Sequence, residues 1–185
     1  MLISKYSCND SEKQITEFEN RYSISIPNEY RAFLMKYNGG DTPKTTFKVK
    51  KVSSDVVAFF GIGNVRESFE QLMLNEWIGK EILPIARDSF GNYIILGLGE
   101  ENIGQVFFAD HEKGYEFEYL TKSFKEFVKK CKSDVISDAS KRSIKEREEI
   151  LIAKGRGHII TDSLRAAWQK EIDKYANMNQ EEVII

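Results

Sequence analysis

The sequence predicts an α+β fold: a mainly antiparallel central sheet flanked by helices, with a C-terminal helical extension. Three observations predict it. Helical and strand-like apolar patterns are mixed without a regular β-α-β alternation. Hairpin signals dominate the middle of the chain. After Cys131 the pattern changes to polar, charged and helical.

A first helix starts near Asp10 or Ser11, both good N-caps, with Ile15, Phe18 and Tyr22 as its apolar stripe. Pro27 sits at the first turn of a second helix, where its missing N–H costs nothing. Tyr30, Phe33, Leu34 and Tyr37 follow the i, i+3, i+4, i+7 rule and share one face. Asn38-Gly39-Gly40 ends this helix. Thr45 to Val52 reads as a strand with Lys44, Lys48, Lys50 and Lys51 exposed, a pattern that protects a sheet edge. Val56 to Phe60 is a second strand, ended by Gly61-Ile62-Gly63. Asn64 caps a helix on which Val65, Phe69, Leu72, Met73 and Trp77 recur at helical spacing. Ile82 to Ala86 is a buried strand. Tyr93 to Leu98 and Gln105 to Ala109 pair across a polar loop, and Tyr115 to Tyr119 alternates as a half-solvated strand. Ser123-x-x-Glu126 is a capping box before the helix face of Phe124, Phe127, Val128 and Cys131. Lys132 to Ser143 is a candidate linker. Beyond it, Ile144 to Lys154 forms a charged helix, and Thr161 or Asp162 caps a last one bearing Leu164, Ala167, Trp168, Ile172 and Tyr175. The domain reading is therefore 1–135 for a core domain and 136–185 for an extension that packs on the core or on a second chain.

Composition narrows the function classes. With 185 residues and 41% hydrophobic content, the core needs no metal or disulfide staple. A net charge of −2 argues against a general nucleic-acid binder. Cys8 and Cys131 form no CxxC and read as reduced thiols, Cys8 exposed and Cys131 in the core. No apolar run is long enough to span a membrane and no leader pattern opens the chain, so a cytoplasmic location is expected.

Four pieces in order carry a resemblance. They are the helix ending in Asn38-Gly39-Gly40, the Leu83-Pro84-Ile85-Ala86 strand with its Phe90-Gly91-Asn92 turn, the aromatic strand ending in Asp110-His111-Glu112, and the Ser123-Phe124-x-x-Phe127 helix. Over roughly residues 10–132 the chain resembles the SMI1/KNR4 (SUKH) superfamily. Ala109 departs from it, since an aromatic is common there. The resemblance implies a central sheet with helices packed around it. Bacterial members of that family look like immunity proteins of polymorphic toxins. It therefore implies a non-enzymatic antitoxin that binds and occludes a cognate toxin domain, of nuclease type and basic. The fungal members suggest an alternative, a protein-interaction scaffold in cell regulation or cell-wall synthesis signalling.

No catalytic constellation is visible. Asp110, His111 and Glu112 are adjacent, but on a strand His111 faces away from the two acids, so they read as a solvated strand end. His158 follows a Gly155-Arg156-Gly157 turn and reads as a loop residue. Gly61-Ile62-Gly63 lacks the remainder of a phosphate-loop motif. Between Gly99 and Glu118 stand six acids (Glu100, Glu101, Asp110, Glu112, Glu116 and Glu118) and one base, Lys113. This stretch is either a charge-protected sheet edge or a binding surface. As a binding surface it would meet a basic partner, with Tyr115 and Tyr119 as central anchors. No cofactor, metal, direct nucleic-acid contact or membrane contact is expected.

Overall fold

The computed structural model describes residues 1–6 and 10–185; the expectation for Cys8 lies outside the described residues. The chain divides into two compact units, Met1–Asp134 with Gln180–Ile185, and Val135–Asn179.

The first unit contains β1 (Leu2–Lys5), α1 (Ser11–Tyr22), α2 (Asn28–Tyr37), β2 (Gly40–Val49), β3 (Val52–Phe59), α3 (Leu74–Ile78), β4 (Ile82–Arg87), β5 (Tyr93–Gly97), β6 (Val106–Asp110), β7 (Glu116–Thr121), α4 (Phe124–Lys130), β8 (Cys131–Ser133) and β9 (Glu181–Glu182). Its strands form one sheet in the order β7-β6-β5-β4-β3-β2-β1-β9, with β8 also paired to β2. Every pairing is antiparallel. The fold is thus the predicted α+β arrangement. β2 serves two strands along one edge: β1 pairs at Gly40 and Asp41, β8 at Thr45 to Phe47. An irregularity between Asp41 and Thr45 separates the two stretches.

The sheet curls. Phe47 of β2 and Phe108 of β6 have ring centroids 6.0 Å apart, whereas strands four places apart in a flat sheet would lie about 19 Å apart. Inside the curl, α1, α2 and α4 supply Ile15, Phe18, Tyr30, Phe33, Phe124 and Phe127 to a single core. Tyr30, Phe33, Leu34 and Tyr37 are all buried, as their spacing predicts. Phe33 contacts the rings of Phe59 and Phe124 at 5.2 and 5.1 Å. Gly39 shows why this helix must end in glycine. Its φ is +76°, and a Cβ there would stand 2.7 Å from the Phe59 carbonyl. Beside it the Asn38 amide donates to the Ile62 carbonyl and accepts from the Ile62 N–H, as a neighbouring strand would.

Several expectations are corrected. The helix expected from Asn64 to Trp77 is a looped segment, a 3-10 turn at Phe69–Gln71 and the five-residue α3. Gly61 donates to the Glu67 carbonyl and accepts from the Phe69 N–H, and this closed loop competes with helix formation. Phe69 is buried, Met73 is exposed, and Trp77 packs in a different cluster. The Thr45–Val52 strand is β2, which starts earlier at Gly40; Lys50-Lys51 forms its turn and Val52 opens β3. Asp10 precedes α1 with φ 60°, but its side chain does not cap the helix. Cys131 is buried where α4 passes into β8, so the expected linker begins as a strand. Ser123 accepts from the Glu126 N–H, the first half of the expected capping box, while Glu126 pairs with Lys122 at 3.2 Å.

The second unit holds α5 (Asp138–Lys141), α6 (Ile144–Ala153) and α7 (Asp162–Tyr175). Its buried cluster is Ile136, Tyr175 and Met178. Polar contacts supplement this small core. Arg147 bonds Glu171 at 2.8 Å and the Ser140 carbonyl at 2.8 Å, and lies 5.8 Å from the Trp168 ring centroid. Thr161 caps α7 through the Leu164 N–H. No helix among the described residues is long and apolar enough to cross a membrane.

Candidate functional site

The motif residues meet at the end of the sheet where β4, β5, β6 and β7 turn. Asp88 is buried. Its Oδ1 accepts from the Phe90 and Asn92 N–H groups at 2.9 and 2.8 Å. Its Oδ2 accepts from the Asn92 amide and the Ser54 hydroxyl, both at 2.7 Å. Asn92 Oδ1 in turn accepts the His111 N–H at 3.0 Å and contacts His111 Nδ1 at 2.7 Å. An amide oxygen only accepts, so Nδ1 carries the hydrogen. The Asp-x-x-Gly-Asn turn and the His111 loop are therefore one clasp running Ser54–Asp88–Asn92–His111. Gly91, at φ 94°, permits the tight turn.

The Asp110-His111-Glu112 expectation is corrected here. Asp110 ends β6, and its side chain caps a 3-10 turn at His111–Lys113 through the Glu112 N–H. The three side chains are not arranged by strand alternation, and His111 is committed to the clasp. Among the described residues, no three His, Cys, Asp or Glu side chains gather in a way that could hold a metal.

The predicted contact residues fall into two places. Asp110 pairs with Glu116 and Phe108 with Glu118, so these acids lie on β6, β7 and their connection. Glu100 and Glu101 lie in the β5–β6 connection at the opposite end of β6. Five residues of strand separate the two ends, about 15 Å. Sequence clustering could not reveal this, because an antiparallel strand carries neighbouring segments apart. Lys113 reaches back to Asp110 at 3.4 Å and Glu118 at 2.9 Å. Those contacts, Glu118 first, raise the Lys113 ammonium above its ordinary pKa. Glu112 and Glu116 are exposed and, among the described residues, have no ion-pair partner.

Aromatics flank the same strand. β7 is the last strand in the sheet order, and among the described residues one of its edges is unpaired. Its alternation places Glu116, Glu118 and the buried Leu120 on one face and Phe117 and Tyr119 on the other. Phe117 and Tyr119 are each 42% exposed. Tyr119 packs edge-on against Phe107 at 5.9 Å, and Lys50 from the β2–β3 turn lies 5.1 Å over its ring. Tyr115 is less available than its sequence suggested. It takes φ 61° and packs on Trp77 at 5.3 Å and Tyr93 at 5.7 Å. Phe107 and Phe117 were missed; their signal is the period of two that already marks Tyr119.

A second polar network holds the 61–68 loop to the sheet. Asp41 accepts from Tyr6 at 3.0 Å and pairs with Arg66, while Glu67 holds Arg87 through two bonds at 2.8 and 2.6 Å. Burial pushes the Asp41 carboxyl above its usual range, opposed by Arg66. With every partner engaged, the network reads as structural.

Comparison with known proteins agrees with this layout. The family described as SMI1 / KNR4 family (SUKH-1) matches residues 11–130. The chain is 26% identical over 148 residues to the SPbeta prophage-derived uncharacterized protein YokK of Bacillus subtilis (strain 168), covering 67% of this chain and 76% of that protein. No solved structure matches significantly.

Proposed function

The chain belongs to the SMI1/KNR4 (SUKH-1) family, and from that premise we propose that it is a non-enzymatic immunity protein that binds and occludes a cognate toxin domain, basic and of nuclease type. The observation that carries the reading is the β7 edge: half-exposed Phe117 and Tyr119 flank it on one face and Glu116 on the other, and Glu116 and Glu112 have no ion-pair partner among the described residues. Aromatics at the centre and charge at the rim are the usual anatomy of a protein-binding surface. The prophage origin of the Bacillus subtilis relative supports the reading, since immunity genes travel with the toxins they neutralise.

The mechanism is occlusion. A nuclease cleft is basic because it holds phosphates, and an acidic strand end presented to it competes for the same field. Asp110, Glu112, Glu116 and Glu118 supply the near contacts; Glu100 and Glu101, at the far end of β6, add to long-range steering. Tyr119 and Phe117 provide apolar anchors, and Tyr115 holds the turn in shape. The motif residues build the platform, and the exposed side chains on it set the partner. In this reading residues 1–135 recognise the toxin in the cytoplasm, and residues 136–185 are an accessory extension.

The test is binding to toxin domains encoded next to the gene, measured for wild type and for the Glu112→Lys/Glu116→Lys variant. A stoichiometric complex with suppressed toxin activity, weakened more than ~10-fold by the two reversals, is expected. A complex that ignores both reversals removes this surface from the interface. Failure to bind or protect against any such toxin overturns the immunity reading itself.

A further inference from the structure

In the first unit, two segments distant in sequence bring four lysines together. Lys48 of β2, Lys129 and Lys130 of the last turn of α4, and Lys132 of β8 line an open groove of about 300 Å³, together with Thr46 and Ser53. The convergence follows from the fold. α4 runs directly into β8, and β8 pairs with β2 so that Lys132 stands opposite Thr46. Thr46, Lys48 and Lys132 are exposed while Thr45, Phe47 and Cys131 are buried, so the first three share the outer face. Lys48 stands opposite Ser53, which supplies a second hydroxyl.

Among the described residues, no ion pair engages these ammonium groups. The lysine ion pairs of the described residues involve Lys5, Lys13, Lys113 and Lys122, and none of the four groove lysines. Three acids stand near the lysines in the chain or the sheet: Asp55, opposite Thr46, accepts the Ser89 N–H, Glu126 pairs with Lys122, and Asp134, two residues after Lys132, forms no ion pair among the described residues. Local explanations cover only part of the cluster. Lys129 and Lys130 complement the C-terminal end of a helix, and Lys132 protects a short edge strand. Neither accounts for Lys48, nor for placing all four around one concavity where they repel one another.

The geometry points to a binding site for a compact polyvalent anion, a phosphate chain of two or more phosphates. Four cations lining one small concavity suit charges held close together, whereas the carboxylates of an acidic protein face are spread over a convex surface. Lysines act as point charges without the paired geometry of arginine, so the site reads charge density rather than orientation. The Thr46 and Ser53 hydroxyls donate to non-bridging oxygens. The assignment does not depend on the toxin reading.

The experiment is calorimetric titration of the full chain with pyrophosphate, tripolyphosphate and ATP at 50 and 200 mM salt. Saturable one-to-one binding is expected, tighter for tripolyphosphate than for pyrophosphate and weaker at the higher salt. Equal affinity for ATP and tripolyphosphate assigns recognition to the phosphate chain alone; tighter ATP binding assigns it to a nucleotide. The Lys48→Gln/Lys132→Gln variant is expected to bind at least ~10-fold more weakly. The Lys13→Gln/Lys122→Gln variant, with the same change in net charge, is expected to bind as wild type. Thermal unfolding confirms that both variants fold. Three results overturn the assignment: no saturable binding, equal loss in both variants, or preference for a duplex oligonucleotide bound at several sites per chain.

Discussion

Replacing Asn92 by Ala tests whether the motif clasp is structural. The change removes the amide bond to the buried Asp88 carboxylate at 2.7 Å and both contacts to His111. A hydrogen bond to a charged group is worth about 1.5–3 kcal/mol. The His111 contacts add less, about 0.5–1 kcal/mol together, because the ring is exposed and water can replace them. The expected loss is therefore about 2–4 kcal/mol, which in a chain of this size lowers Tm by about 5–12 °C. Asp88→Asn is expected to cost at least as much, since Asp88 accepts four hydrogen bonds and an amide presents one donor edge to them. His111→Ala is expected to cost only about 1 kcal/mol. Thermal unfolding followed by circular dichroism, with urea midpoints as a second measure, gives the ranking. A shift below about 2 °C for Asn92→Ala, or His111→Ala as the most damaging of the three, would refute the clasp.

Other expected outcomes follow from single contacts. Gly39→Ala should cost more than ~3 kcal/mol or abolish soluble expression, because a Cβ at φ +76° meets the Phe59 carbonyl at 2.7 Å; a Tm within a few degrees of wild type would contradict this. Tyr37→Phe removes the hydroxyl that donates to the Glu182 carbonyl at 3.2 Å and accepts the Ile184 N–H at 3.0 Å. Hydrogen exchange should accelerate at Val183 and Ile184 while the centre of the sheet stays protected. Burial pushes the Cys131 thiol up to about 12. Because that folded value is raised, the thiol's contribution to stability is complete at neutral pH and is lost only as pH climbs from the unfolded value near 9 toward 12. In a Cys8→Ser background, thiol reagents at pH 8 should therefore label Cys131 only as fast as the protein opens; rapid labelling of folded protein would count against its burial.

The sequence made legible whatever depends on local periodicity. Tyr30, Phe33, Leu34 and Tyr37 can share a face only on a helix, and Glu116 to Tyr119 only on a strand. The same logic failed between Asn64 and Trp77. Apolar residues recur there at helical spacing, but the chain's hydrogen bonds close a loop around Gly61. Periodicity records which residues need burial, and a loop can bury Phe69 as well as a helix can. The candidate site was half legible for a related reason. Composition grouped six acids, but whether two of them share a surface depends on which end of β6 each occupies. The lysine groove lay further out of reach, since it needs the register of β8 on β2, a pairing across more than eighty residues. No pattern within either segment encodes that distance.

The pairing of β9 with β1 has a mechanical consequence. Leu2 stands opposite Glu182 and Ile3 opposite Glu181, and the Val183 N–H donates to the Met1 carbonyl at 2.9 Å. Residues 1 and 185 therefore sit at the same end of an antiparallel pair. Tension applied across them loads its hydrogen bonds one after another, as a zipper is opened, rather than all together in shear. Any polypeptide joined before Met1 or after Ile185 departs from the edge of the sheet farthest in strand order from β7. An unfolding motor pulling on both ends would meet its weakest resistance at the start.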